Sequence, residues 1–116
     1  MTRERFIRIV EQALDRLPRR FRDRIHNVAI LVEDRPPEHI SRRRPQRLVL
    51  GVFHGVPATK KSVFDLSLGP DHIVLYQKNI EAVCSSEREI REQVRRTVIH
   101  ELGHYFGMDE NQLRDV

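Results

Sequence analysis

The feature that most constrains the fold is a long segment without proline near the C-terminus. Ser86 and Glu89 have the S-x-x-E spacing of a capping box, in which each side chain accepts a hydrogen bond from the other residue's backbone. From Glu87 onward the chain contains no proline up to Gly107, and glycine suits the left-handed conformation that ends many helices. The pattern predicts one long helix over residues 87–106, against which the rest of the chain must pack.

A second helix is predicted over residues 3–17 at the other end of the chain. Its apolar residues recur at helical spacing and form one broad stripe; they are Phe6, Ile9, Val10, Ala13, Leu14 and Leu17. Thr2 can cap the start of this helix, and Pro18 ends it and can open a short further turn. We therefore expect one amphipathic helix at each end of the chain.

Between the two helices, short β-branched and aliphatic runs are typical of strands. We predict strands over 27–33, 47–53 and 72–78, of which the first suits a buried position. The segments 34–46 and 54–71 are predicted as loops, and 79–84 as a helical turn. A chain of 116 residues has the size of one domain. The prediction is thus a single α+β domain over residues 1–116, with a short sheet of about three strands and the helices packed on one of its faces.

Composition excludes several classes of protein. Apolar residues make up 39% and charged residues 33%, which is too apolar for a disordered chain and too charged for a membrane protein. No apolar run approaches the ~20 residues that a membrane helix needs. The first residues are amphipathic and include Glu4 and Glu11, unlike a signal peptide. With one cysteine, Cys84, no internal disulfide can form, so we expect a cytoplasmic protein with no membrane partner.

The basic balance of the chain allows a nucleic-acid partner but does not require one. The formal net charge is +4, and basic residues include the run Arg42 to Arg44 between prolines. Acidic residues are interleaved with the basic ones over most of the chain, which favours a solvated, arginine-rich surface. Trp is absent and aromatic residues make up 6%, which further weakens an interpretation based on base stacking. A basic nucleic-acid-binding module is therefore the third-ranked hypothesis, testable by the salt dependence of binding.

Residues 100–104 form an H-E-x-x-H motif on the long predicted helix. His100 and His104 lie about 40° apart around such a helix, so both imidazoles can reach one Zn²⁺ ion from adjacent turns. Glu101 lies at the edge of the same face, where it can reach a water bound to the ion. The motif predicts Glu101 as a general base for metal-activated water.

A catalytic zinc site needs a third protein ligand. Glu110 stands ten residues after His100, at the offset of the third histidine in H-E-x-x-H-x-x-G-x-x-H. Glu110 is the first candidate and Asp109 the second, because the chain is expected to turn at Gly107 and fold back; a residue elsewhere in the chain or a water is the remaining alternative. Gly103 is unfavourable inside a helix by about 1 kcal/mol relative to alanine, and its small size predicts close approach of a neighbouring backbone.

These features together resemble those of the small bacterial zincin-like metallopeptidases, in which H-E-x-x-H-x-x-G and a following acid occur in a chain of this size. Besides the amphipathic first helix, the resemblance rests on residues 28–34, 50–57, 70–76, 79–80 and 97–104. It implies a reduced α+β zincin domain with peptidase activity and Zn²⁺ as the cofactor. The implied metal ligands are His100, His104 and the acid at position 110, where glutamate replaces the usual aspartate.

The leading hypothesis is a zinc metallopeptidase that acts on short or unstructured peptides. A zinc-binding protein of the same fold, acting structurally or through a partner without significant proteolysis, is the alternative. Peptidases of this kind often place the substrate along an edge strand, and we expect residues 72–78 to provide it. Candidate donors to the reaction's oxyanion, each more readily explained as a surface or core residue, are His54, His72, Tyr76 and Tyr105. Thr97 and Gln93 are expected to line the site, and Cys84 to be a small buried apolar residue.

Overall fold

A computed structural model describes residues 1–55 and 71–113 of the chain, so most of the predicted loop 54–71 lies outside the described residues. Its helices are α1 (Arg3–Asp15), α2 (Arg19–Arg22), α3 (Glu38–Ser41), α4 (Gln77–Ala82), α5 (Glu87–Tyr105) and α6 (Glu110–Leu113). Its strands are β1 (Val28–Glu33), β2 (Gly51–His54) and β3 (Asp71–Tyr76), and a short 3₁₀ turn spans Ile25–Asn27. The predicted α+β class is confirmed. Within these ranges, none of the helices is long and apolar enough to cross a membrane.

The two long helices begin as the sequence predicts. The Thr2 hydroxyl accepts a hydrogen bond from the Arg5 backbone N–H at 3.1 Å and caps α1. The Ser86 hydroxyl accepts one from Glu89 N–H at 3.2 Å and caps α5. The returning bond differs from a standard capping box, because the Glu89 carboxylate accepts from the N–H of Ser85. Both caps satisfy backbone donors that the first turn of a helix leaves unpaired.

Helix α5 ends in a Schellman motif at Gly107. This glycine has φ of 77°, a left-handed conformation that glycine adopts without a Cβ penalty. The Met108 N–H donates to the Gly103 carbonyl at 2.8 Å, and the Gly107 N–H donates to the His104 carbonyl at 3.0 Å. The chain therefore reverses at Gly107, as predicted, and returns toward the last turns of α5.

The sheet has the strand order β1-β3-β2. Strand β3 pairs in parallel with β1 and antiparallel with β2. The expectation that residues 72–78 offer an edge strand to substrate is wrong, because β3 is central and paired on both sides. This strand also ends at Tyr76, and Gln77 starts α4. At the sheet edge, β2 is shorter than the predicted 47–53.

Both faces of the central strand are covered. Ile73 and Leu75 pack into the core formed with α1 and α5. Val74 and Tyr76 face the other way and pack against Ile40 and Val49 of the segment between β1 and β2. This segment, predicted as a loop, contains α3, and the burial of Ile40 holds it over the second face of the sheet.

The outer strand β1 is less buried than its sequence suggests. Only Val28 of this strand is buried, and Leu31 is 46% exposed. The prediction of a buried strand from this apolar run is therefore wrong. Because β1 lies at the edge of the described sheet, its aliphatic side chains cover the core on one side and meet solvent on the other.

Candidate active site

The structure brings the two predicted metal ligands together on the solvent side of α5. The rings of His100 and His104 have centroids 6.1 Å apart and are nearly perpendicular. Both side chains are exposed, and both line one cavity of about 690 Å³ together with Glu101. The predicted neighbours Gln93 and Thr97 line the same cavity.

A hydrogen bond orients the first of these imidazoles. His100 Nδ1 lies 3.3 Å from the carbonyl oxygen of Arg96, one turn earlier in α5. A carbonyl oxygen can only accept, so a hydrogen bond at this contact requires the ring proton on Nδ1. Metal-binding histidines are commonly held by such a bond from the second ring nitrogen. Two imidazoles, one of them oriented in this way, fit the ligand chemistry of zinc.

Glu101 lies between α5 and the edge strand β2. Its carboxylate accepts a hydrogen bond from the Phe53 backbone N–H at 3.2 Å. Burial raises the pKa of the Glu101 carboxyl, while the Phe53 N–H and the neighbouring His104 act in the opposite direction. A carboxylate with a raised proton affinity, close to two candidate metal ligands, suits the role of a general base.

Within residues 1–55 and 71–113, β2 is an outer strand of the sheet, and its register shows that Glu101 lies along its outward side. The carbonyl of Leu50 accepts a hydrogen bond from the Tyr76 N–H at 2.9 Å, which turns the polar groups of residue 50 toward β3. Alternation along an antiparallel strand then turns those of Gly51 and Phe53 away from β3. Among the described residues nothing but the Glu101 carboxylate bonds to the Phe53 N–H on that side.

Gly51 explains how α5 comes so close to this strand. A Cβ built on Gly51 would lie 2.7 Å from the Thr97 methyl carbon and 3.1 Å from the Val74 carbonyl oxygen. Only glycine therefore allows the helix to lie over β2 at this distance. Sequence reasoning missed this role, although a glycine inside a predicted strand is a known signal of close approach.

Asp109 and Glu110 follow α5, and the structure describes the side chain of the first but not that of the second. Asp109 caps α6, because its carboxylate accepts from the Gln112 N–H at 2.8 Å and the Gln112 side-chain oxygen accepts from the Asp109 N–H at the same distance. The backbone of Glu110 begins α6, but its side chain lies outside the described part of the structure. Among the described side chains, no group of three or more His, Cys, Asp and Glu is placed to hold a metal. Glu110 as the third ligand stays a prediction.

Gly103 provides the contact that returns α6 to α5. A Cβ at this position would lie 2.3 Å from a Leu113 methyl carbon and 3.0 Å from Leu113 Cγ. A side chain of α6, and not the backbone that the sequence predicted, occupies the space. Leu113 is 3% exposed and belongs to the main core, so Gly103 fixes the position of the helix on which Glu110 lies.

None of the four candidate oxyanion donors is among the described residues that line the cavity with Glu101. Tyr76 is buried against Ile40, and Tyr105 packs on the ring of Phe53 with centroids 4.7 Å apart. His54 and His72 stack on one another at 4.9 Å. Cys84 is half-buried, and burial raises the pKa of its thiol.

Arginines form part of the cavity wall that the sequence analysis did not assign to the site. Arg44 and Arg47, from the segment before β2, line the cavity together with Arg96 of α5. A smaller cavity of about 210 Å³ adjoins it, and Arg43 and Arg44 line that cavity with Glu101 and His104. From the sequence, the arginine run is predicted to be a solvated loop. No local signal distinguishes an arginine in such a loop from one that lies beside a distant helix, so its place in the cavity wall could not be predicted.

An H-E-x-x-H helix packed along a sheet edge defines the zincin class of metallopeptidases. Residues 25–116 match the family described as zincin-like metallopeptidase, and the chain belongs to this family. The resemblance inferred from the motif is thereby confirmed at the level of the family.

Among solved structures, the fold is similar to that of a conserved hypothetical protein from Thermo thermophilus. The two chains are 25% identical, with a TM-score of 0.61 over 91% of this chain and 94% of the other. A search of curated proteins found no match. These comparisons support the fold and the family and leave the chemistry of the site to be argued from its residues.

Proposed function

We propose that the protein is a zinc-dependent peptidase. The observation that carries the proposal is the position of Glu101, which lies in the same cavity as His100 and His104 and bonds to the outward N–H of the edge strand. His100, His104 and Glu110 would hold the zinc. When bound, the metal supplies a Lewis acid that polarises the peptide carbonyl and makes water more acidic.

Glu101 would move the proton in this reaction. Its carboxylate takes a proton from the attacking water and passes it to the amine that leaves when the peptide bond breaks. Because Glu101 is half-buried, its carboxyl is favoured in the protonated form after it takes the proton from water. The Phe53 N–H holds the carboxylate at the sheet edge, so its oxygen is already in place when water attacks.

We place the peptide along the outward side of β2, which no other strand of the described residues covers. An extended chain can pair with the outward backbone groups of Gly51, which also lines both cavities beside Glu101. Both cavities open at the surface between α5 and the segment before β2, so short flexible peptides suit the site better than folded proteins. The edge strand thus replaces β3 in the role that the sequence analysis assigns to residues 72–78.

The test is Glu101→Gln, which keeps the size of the side chain and removes its ability to take a proton. Zinc-loaded protein is incubated with a mixture of short peptides, and cleavage is followed by mass spectrometry. We expect turnover to fall by roughly 10²–10⁴-fold, the usual contribution of a general base, while zinc content stays unchanged. Glu11→Gln, an exposed position on α1, is the matched control. Equal turnover in Glu101→Gln and the control would contradict the mechanism.

One observation favours the second candidate, a zinc-binding protein without significant proteolysis. Within residues 1–55 and 71–113, the cavity wall includes no tyrosine, and an oxyanion donor contributes several kcal/mol to catalysis of this type. If the wild-type protein binds zinc but cleaves none of the peptides, the non-catalytic alternative replaces the peptidase.

A further inference from the structure

Three arginines from two separate segments surround the cavity beside Glu101. Arg44 and Arg47 lie between α3 and β2, whereas Arg96 lies on α5 one turn before His100. Burial of Ile40 and Val49 on the second face of the sheet anchors the segment at both ends. The arginines are exposed, as expected for a solvated loop, but the packing of the fold holds the segment that carries Arg44 and Arg47 beside the cavity.

Negative charge on the same wall is sparse. Glu101 is the only acidic residue among the described residues that line the cavity. Arg96 pairs with Glu92 at 3.3 Å, but both side chains are largely exposed, and exposed pairs of this kind are weak and readily exchanged. Among the described residues, neither Arg44 nor Arg47 forms an ion pair within 4.0 Å, although Arg44 interacts electrostatically with Glu101. A cavity with this charge balance attracts an anionic ligand.

The shape and chemistry of the wall favour a peptide over a nucleic acid. Among the described residues, no phenylalanine, tyrosine or tryptophan lines the larger cavity, and Phe53, which lines the smaller one, packs its ring on Tyr105. Bases would therefore find little aromatic surface on which to stack. The edge of β2 offers backbone groups to an extended chain, and guanidinium groups match the geometry of carboxylates.

We infer that the site selects acidic peptides, with Arg44, Arg47 and Arg96 binding aspartate or glutamate side chains that flank the bond to be cleaved. The cleavage of these peptides rests on the proposed function, whereas their selective binding does not depend on it. The arginines determine which peptide is bound, and Glu101 acts on the peptide that they hold.

The experiment measures binding by Glu101→Gln protein loaded with zinc, so that turnover does not interfere. The probes are a labelled, blocked decapeptide of alternating alanine and glutamate, and the same peptide with glutamine in place of glutamate. We expect the glutamate peptide to bind at least roughly tenfold more tightly. A hydrogen bond to a charged group contributes more free energy than a neutral one, and the difference corresponds to about tenfold in affinity. The difference should shrink at high salt.

Charge reversal assigns the preference to the cavity. In Arg44→Glu with Arg47→Glu, both exposed positions, we expect the preference for the glutamate peptide to disappear. Changing the same two arginines to glutamine should reduce the preference for the glutamate peptide partway. This milder variant tests the inference if charge reversal impairs folding. Arg8→Glu on the exposed face of α1 is the matched control and should retain the full preference.

Three results would overturn the inference. They are equal binding of the two peptides, an equal loss in Arg8→Glu and the cavity variants, and tighter binding of a dT oligonucleotide of equal charge that depends on Arg44 and Arg47. Cleavage by wild-type protein is measured separately. Selective binding without cleavage would disprove the peptidase activity and support the selection of acidic peptides. Cleavage without selective binding would support the peptidase activity and disprove the selection of acidic peptides.

Discussion

The two halves of α5 follow one helical periodicity but face different surroundings. In the first half, Ile90 and Val94 are buried, and Glu87 forms an ion pair with Arg5 of α1 at 2.6 Å. In the second half, the outer side of the helix lines the cavity through residues 96–104. The inner side of this half stays buried through Val98 and Leu102, so the site arises where the outer side of the helix passes the outer strand of the described sheet.

The comparison also separates stability from chemistry. Apolar burial stabilises both halves, and the first half adds the cap at Ser86 and the ion pair between Glu87 and Arg5 of α1. The second half combines two exposed histidines with a half-buried carboxylate. Substitutions of the cavity-lining side chains should therefore change metal binding more than stability, and those of capping or buried residues should do the opposite.

The largest effect is expected from His100→Ala. Removing one of two imidazoles that share a cavity should weaken zinc binding by more than 100-fold, since even residues that only support a ligand change affinity by 10–100-fold. Metal analysis of protein purified without chelators measures this effect. His26→Ala, at an exposed histidine of the 3₁₀ turn, is the control, and equal zinc content in the two variants would remove the assignment.

The acids after Gly107 provide a second test of the contrast between metal binding and stability. We expect Glu110→Ala to weaken zinc binding by at least roughly 10-fold. Asp109→Ala should instead cost about 1 kcal/mol of stability, because Asp109 caps α6. Zinc titration and thermal unfolding of both variants separate the roles. A large loss of zinc affinity in Asp109→Ala, with none in Glu110→Ala, would reverse the assignment.

Gly103→Ala should affect both properties, because Gly103 joins the two regions. The new methyl group collides with Leu113, and overpacking of this kind costs about 1–3 kcal/mol, against a gain of about 1 kcal/mol from helix propensity. Displacement of α6 should also lower zinc affinity through Glu110. The double variant with Leu113→Ala restores space and should recover part of the zinc affinity; no recovery would show that α6 does not position a ligand.

The smallest effect is expected from Ser86→Ala in the first half of α5. Loss of the cap to Glu89 N–H should lower stability by about 1 kcal/mol and leave zinc affinity unchanged. Chemical unfolding together with zinc titration checks both parts. A change in zinc affinity comparable to that of Gly103→Ala would mean that the two halves of the helix are not separable.

The local features of this protein could be predicted from its sequence. The caps at Thr2 and Ser86, the end of α5 at Gly107 and the grouping of His100 with His104 all follow from interactions between residues within five positions of one another. The family resemblance depended on the same motif. These features need no knowledge of distant neighbours, which is why they could be predicted.

Long-range packing, in contrast, sets which described strand lies at the edge beside α5 and which side chains surround Glu101. Phe53 and Glu101 are 48 residues apart in sequence, and Arg44 reaches a wall shared with Arg96. Strand pairing joins segments by backbone hydrogen bonds that any residue except proline can make. The order β1-β3-β2, the edge position of β2 and the arginine-lined cavity therefore have no local signal in the sequence, and they emerge when the buried faces of the helices and sheet pack together.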